Sequence, residues 1–397
     1  MLLAALTAAL LLATACARIA QPSGWAGPSL AGGRLIVHSG REQLAAVDIA
    51  SLQVVWEFPG GQKHRDGTKV QLQGVYGNPI IAEGIVYFGG YDGWLYALDL
   101  ASGELKWDAN VGGHIIGGPV VAEGLLYVGS SNNRLYALDP ATGDPRWPQP
   151  FETGDDIWAT PLVENGVVYA TSMDKNLYAL EAADGSERWP EAFSADGALA
   201  TTPVLVDGTL FVGGFDRRLY AVDAASGQEK WSFKADNWFW ARPLVNGDTV
   251  YAGSLDGNVY ALGLADGKRL WSYDLKAPVR AAPIIVGDIL LVAGRQGRVA
   301  GLNPQNGGPV WTPAELGKTL LADPLPQGDV VYFSAQGGNL YKVTAKDGSF
   351  VQLVPFPVST PAASPTPAPG TPTPGTATPS PTASGTAGSS PTQAATP

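Results

Sequence analysis

The chain has one cysteine, three histidines and few charges. A single cysteine excludes an internal disulfide framework and any cysteine-based zinc site. The histidines, His38, His64 and His114, are scattered, which argues against a histidine metal centre. Charged residues make up 15% of the 397, with a net charge of −11. Nucleic-acid binding needs a basic footprint against phosphates, so that class is set aside. No G-x-S-x-G, Ser/His/Asp arrangement or phosphate-binding glycine loop is present. Charge is missing altogether after Asp347. What is plentiful is glycine (50) and tryptophan (12), a composition suited to many turns and much β-structure.

Both ends stand apart from the rest. Residues Leu2 to Ala13 form an apolar run, too short to span ~30 Å of hydrocarbon but suited to the core of a signal peptide. Small residues then precede the only cysteine, in Ala13-Thr14-Ala15-Cys16, as in a bacterial lipobox. We read 1–15 as a lipoprotein-type signal peptide, Cys16 as the lipidation site and 16–24 as a linker. An ordinary signal peptide with an incidental cysteine is the alternative. In the segment 358–397, everything from Ser359 on is Pro, Thr, Ala, Ser and Gly with one Gln. It buries too little apolar surface to offset chain entropy, and reads as a disordered tail. It is either O-glycosylated or a plain spacer.

The middle, 25–357, is one unit read eight times. Pro28, Pro79, Pro119, Pro161, Pro203, Pro243, Pro283 and Pro324 are equivalent. Trp56, Trp107, Trp147, Trp189, Trp231, Trp271 and Trp311 each lie 28 residues after their proline, and Gln352 takes the eighth place. A two-residue turn follows each proline, as in Glu83-Gly84 or Gly247-Asp248. Alternating strands such as Ile85 to Gly89 and Leu95 to Asp99 come next, and a fourth strand ends at the tryptophan. Four short antiparallel strands per unit of about 40 residues is the pattern of a propeller blade. The expected fold is therefore all-β: an eight-bladed β-propeller of four-stranded antiparallel blades. The acids at turn tips are read as solvated.

The segments Ala97-Leu98-Asp99-Leu100-Ala101-Ser102-Gly103-Glu104-Leu105-Lys106-Trp107 and Ala137 to Trp147 resemble the tryptophan-docking motif of quinoprotein-type (PQQ-like) propellers. The resemblance implies that the seven tryptophans pack between blades beside the motif glycine. The chain is also similar to the propeller lipoproteins of the outer-membrane β-barrel assembly machine (BamB-like). That implies a non-enzymatic, lipid-anchored scaffold or sensor in the bacterial cell envelope. It would sit outside the cytoplasm, a monomeric ring whose partner is an envelope protein or polymer. The other reading is a quinone-dependent oxidoreductase with a degenerate site. Its relatives hold the quinone with a vicinal cysteine pair and Ca²⁺, and calcium needs six to eight converging oxygens. The chain has no cysteine pair and no insertion to deliver such a cluster, so neither cofactor nor metal is expected.

Candidate binding residues come from where the repeat varies. The Trp-to-Pro gaps are 23, 12, 14, 14, 12, 12 and 13 residues. The long first gap carries Lys63, Arg65 and Lys69, a basic cluster that is either a binding loop or a solvated one. Three residues before each proline stand Trp25, Tyr76, Ile116, Trp158, Ala200, Trp240, Arg280 and Leu321, expected at the channel rim. With Trp238, Phe239 and Arg242 they make a set suited to an interface. Their burial between blades is the alternative. The Trp-to-Pro connections should share one face with the second-to-third strand turns, and that face is expected to take the partner.

Overall fold

The computed structural model describes residues 24–39 and 43–353; the signal peptide, Cys16 and the tail all lie outside the described residues. Within them the chain forms eight four-stranded antiparallel sheets, at 29–58, 80–110, 120–152, 162–194, 204–234, 244–274, 284–315 and 325–353. Each sheet is a meander of strands adjacent in sequence, so no blade is completed by a strand from the other end of the chain. No helix occurs among the described residues.

Hairpin chemistry sets the blade geometry. Glu83 and Gly84 both have positive φ (49° and 78°), as in a type I′ turn. In the reversed order, Gly247 alone does (57°), and glycine meets that need without strain. In blade 2 this registers Ile80 on Tyr87 and Ile85 on Asp99. The fourth strand departs from expectation. In blades 1, 2, 5 and 6 it runs past the tryptophan, as in Val54–Phe58. In blades 3, 4 and 7 it is two residues long and begins after the tryptophan, as in Phe151–Glu152. Pro148, Pro190 and Pro313 interrupt pairing there, since proline has no amide hydrogen for the ladder.

Apolar cores lie between neighbouring blades, because each blade has two apolar faces. The seven tryptophans sit at seven of these junctions. Each indole N–H donates to a backbone carbonyl of the next blade at 2.9–3.0 Å. Beneath each ring lies a glycine of that blade's third-to-fourth strand turn, Gly103 through Gly348. A Cβ there would stand 2.4–3.0 Å from the ring, and φ is positive. The eighth junction, blade 8 against blade 1, differs at both places. Gln352 stands where the tryptophan would be and hydrogen-bonds Asn339 within its own blade. Leu52 takes the glycine's place and still adopts φ 58°. This seam is closed by Leu35, Val37, Ala45 and Val47 against Tyr332 and Leu340.

The outer wall is divided. The residue before each tryptophan is basic on blades 2–5, where Lys106, Arg146, Arg188 and Lys230 pair with Asp99, Asp139, Glu181 and Asp223 at 3.2–3.5 Å. On blades 6, 7, 8 and 1 the equivalents are Leu270, Val310, Val351 and Val55, all exposed.

Candidate functional site

The eight residues three before each proline all line one cavity at the mouth of the central channel, about 140 Å³ in volume. The next residues along the inner-strand approaches, among them Gly77, Gly117, Ala159 and Ala241, line it too. A Cβ on Gly77 would stand 2.2 Å from the Gly118 amide nitrogen, so the inner strands meet too closely there for any side chain. The residues one before the prolines knit the floor: Asn78, Thr160 and Asp323 accept hydrogen bonds from the amides of Gly27, Gly118 and Ala282 at 2.6–2.7 Å.

Aromatic rings and one cation cross the mouth in continuous contact. Trp238 stacks on Phe215 at 4.5 Å, and Phe215 stacks on Trp240 at 5.2 Å. The Arg280 guanidinium lies over the Trp240 ring at 4.1 Å and over the Trp25 ring at 4.4 Å. Trp25 meets Tyr76 edge-on at 4.2 Å, and Tyr76 meets Tyr91, which stacks on His114 at 3.8 Å. Trp158 joins from the side, 6.5 Å from Trp240, its indole N–H donating to Asp156. The Trp25–Arg280 contact spans blade 8, whose equivalent residue, Leu321, lines the same cavity. Burial, helped by nearby Arg295, pushes the Arg280 pKa down to about 10. Arg280 Nε is buried with no hydrogen-bond partner.

The candidate residues divide sharply. Trp158, Trp240, Arg242 and Arg280 share the cavity. Trp238 is 41% exposed at its edge. Phe239 is not a surface residue: it is fully buried between blades 5 and 6, against Val250, Tyr260 and Leu262. In the run Trp238-Phe239-Trp240 the chain approaches the inner strand extended, so alternate side chains point opposite ways, and Phe239 takes the core side. Lys63 and Arg65 are exposed but lie elsewhere. The first-gap insertion turns away from the mouth and follows the outer strand of blade 2. The Gln62 side chain bonds Gly103 O and Leu105 N, and Arg65 bonds Thr142 O. Those partners sit in or beside third-to-fourth strand turns, at the opposite end of the blades. His64 anchors the insertion, buried with its Nδ1 2.7 Å from Asp108 and its ring stacked on Trp94 at 4.0 Å.

Two signals went unread in the sequence. Tyr91 and Phe215 precede the aspartate of the second turn, a position held by Ser131, Met173, Leu255, Arg295 and Gln336 in blades 3, 4, 6, 7 and 8, and that variation marks the mouth. The turn aspartates themselves are not solvated tips. Asp92, Asp174 and Asp256 accept from Tyr96, Tyr178 and Tyr260 at 2.6–2.8 Å, and Asp216 accepts from Tyr220. The Asp-x-x-x-Tyr spacing puts both side chains on one face of the turn. Burial raises the Asp92 pKa above the ordinary carboxylate value.

A quinone with its calcium does not fit these residues. Among the described residues no three of His, Cys, Asp or Glu converge. The stacking slot between Trp25 and Trp240 is filled by Arg280. At about 140 Å³ the cavity matches one that holds benzene.

Comparison with known proteins places the fold in context. The profile of a family described as outer membrane protein assembly factor BamB matches residues 13–147, 91–200 and 190–349. A protein of that name from Moranella endobia is 31% identical over 96 residues, 24% of this chain and 25% of its own length. Another, from Alkalilimnicola ehrlichii, is 28% identical over 91 residues, 23% of this chain and 24% of its own. The matched stretch is thus about a quarter of each curated relative. Among solved structures, BamB from Moraxella catarrhalis is similar at TM-score 0.64 and 19% identity, over 80% of this chain and 93% of its own. The computationally designed Ika8 protein is similar at TM-score 0.66 and 14% identity, over 82% and 97%.

Proposed function

We propose a function from one premise: this chain belongs to the family of the outer membrane protein assembly factor BamB. It acts as a non-enzymatic scaffold outside the cytoplasm, held to the cell envelope by a lipid on Cys16. It binds envelope proteins at the channel mouth. The observation that carries the binding surface is the unbroken run of Trp238, Phe215, Trp240, Arg280, Trp25 and Tyr76 across one face. Tryptophan, tyrosine and arginine are the residues that anchor protein interfaces. Here they gather at one place on a chain of net charge −11. Apart from the first-gap insertion, the opposite face offers tight hairpins that repeat from blade to blade.

The test is capture of native partners by cross-linking, with the double substitution Trp238→Ala, Trp240→Ala. Interface anchors contribute about 2 kcal/mol or more each, so capture should fall about tenfold or more. Trp240 also packs on Arg280, so an unchanged thermal midpoint is the required control. Cross-links clustering at Glu83-Gly84 and Asp207-Gly208 would put the partner on the other face. Attachment is tested separately: Cys16→Ser should move the protein from the membrane to the soluble fraction. Continued membrane association would refute the lipid anchor.

A further inference from the structure

The scaffold reading leaves one group unexplained. Arg280 has no hydrogen bond or ion pair among the described residues, although its Nε is out of water. Its guanidinium carbon lies over two indole rings, Trp25 at 4.4 Å and Trp240 at 4.1 Å. Contact with indole rings satisfies none of the guanidinium N–H groups. A planar, forked donor with open edges is the complement of a carboxylate, which it takes with two parallel hydrogen bonds. We propose that the channel mouth is a carboxylate socket, in which Arg280 receives the carboxylate of an acidic side chain or chain end that a partner polypeptide inserts along the ring axis. This deepens the scaffold reading and rests on it for the nature of the partner.

The surroundings select the ligand. Arg242 lines the same cavity, Arg295 lies close enough to affect Arg280, and Asp323 is the one acid in the lining, so the lining keeps a net positive charge on an acidic protein. The acids nearby are already engaged. Asp323 accepts from the Ala282 amide, and Asp156 accepts from Trp158. Phosphate also pairs with an arginine fork, but its further oxygens would call for free amides nearby. The amides of Gly27, Gly118 and Ala282 are instead taken by Asn78, Thr160 and Asp323. A sugar ring would stack on an open indole face, and Trp25 and Trp240 each already carry the Arg280 guanidinium. A cavity of about 140 Å³ admits a single side chain or a chain end. The indoles and Tyr76 then flank the stem of the inserted residue.

Three short peptides test the proposal on the mature chain: Ac-Gly-Ala-Ala-Glu amide, Ac-Gly-Ala-Ala-Ala acid, and Ac-Gly-Ala-Ala-Gln amide. Binding is read from the ¹⁵N–¹H shifts of the Trp25 and Trp240 indoles and the Arg280 side chain. At least one of the two carboxylate peptides should saturate these shifts while the glutamine peptide leaves them in place, and the pair tells a side chain from a chain end. Arg280→Gln should abolish the response. Arg280→Lys, which keeps the charge but not the fork, should weaken it about tenfold. The proposal is overturned if the glutamine peptide binds as well as the others, or if Arg280→Gln still responds at an unchanged thermal midpoint. Glucuronate binding more tightly than either peptide would overturn it in favour of an acidic polymer. The two readings fail separately. Loss of native partner in Trp238→Ala, Trp240→Ala with no peptide binding sinks the socket alone. Peptide binding with undiminished partner capture sinks the scaffold's choice of face.

Discussion

Replacing Trp189 with alanine removes an entire inter-blade lock. The ring is 3% exposed, tilted against Tyr169 at a centroid distance of 6.0 Å. Gly227 of blade 5 lies beneath it, 3.0 Å away measured from an ideal Cβ. Truncating a buried tryptophan costs about 3–5 kcal/mol, towards the upper end where walls cannot collapse. Strands on both sides hold Tyr169 and Gly227 in place here. The indole also donates to Ala224 O at 3.0 Å in a buried setting. Orphaning that carbonyl adds about 1 kcal/mol or more. The expected cost is therefore about 4–6 kcal/mol. Trp238, at 41% exposure, loses only a stacked contact with Phe215, and its alanine variant should cost under about 1 kcal/mol. Equilibrium unfolding in urea, followed by near-ultraviolet circular dichroism, compares the two. Trp189→Phe serves as an intermediate, keeping ring packing but not the hydrogen bond. Equal costs at Trp189 and Trp238, or a cost under about 1 kcal/mol at Trp189, would refute the lock.

The seam between blades 8 and 1 and a buried histidine supply the other predictions. Gln352→Trp alone should not stabilise, since Leu52 occupies the space an indole would need. Combined with Leu52→Gly it should give a favourable coupling of about 1–2 kcal/mol in a double-mutant cycle on unfolding, and zero coupling would contradict the geometry. His38 is 8% exposed, and burial pushes its pKa down from 6.5 to about 4. The folded chain keeps it neutral while the unfolded chain takes up a proton, so its contribution is whole above pH 6.5 and is lost as pH falls towards about 4. That loss reaches about 3 kcal/mol, and stability curves of His38→Asn should be flatter in that window; an unchanged slope would show that His38 takes up its proton equally in the folded and unfolded chain.

The fold was legible because its signal is repetitive. Eight prolines, seven fixed intervals and paired turn residues determine strands, turns and blade number without any long-range information. The mouth was legible in part: equivalent repeat positions must fall on one ring, so the identities at Trp25, Tyr76, Trp158, Trp240 and Arg280 followed from alignment. Phe239 was misread because its exposure depends on strand phase, which shifts where the chain leaves the repeat. The first-gap insertion was misplaced for a different reason. Connectivity fixes where a loop starts and ends, but His64, Gln62 and Arg65 find their partners in the next two blades, Asp108, Leu105 and Thr142. No local pattern announces those contacts.

The divided outer wall changes what kind of object the ring is. Eight alike blades would make rotation by one blade nearly undetectable from outside, and a surface meeting the rim would have no way to choose among equivalent orientations. Ion pairs on four consecutive blades and bare Leu270, Val310, Val351 and Val55 on the other four remove that degeneracy. The molecule acquires a heading about its own axis. The two kinds of side chain at this position also answer salt in opposite senses: added ions screen the four pairs, while strongly hydrated salts tighten the burial of any apolar surface the other four give up.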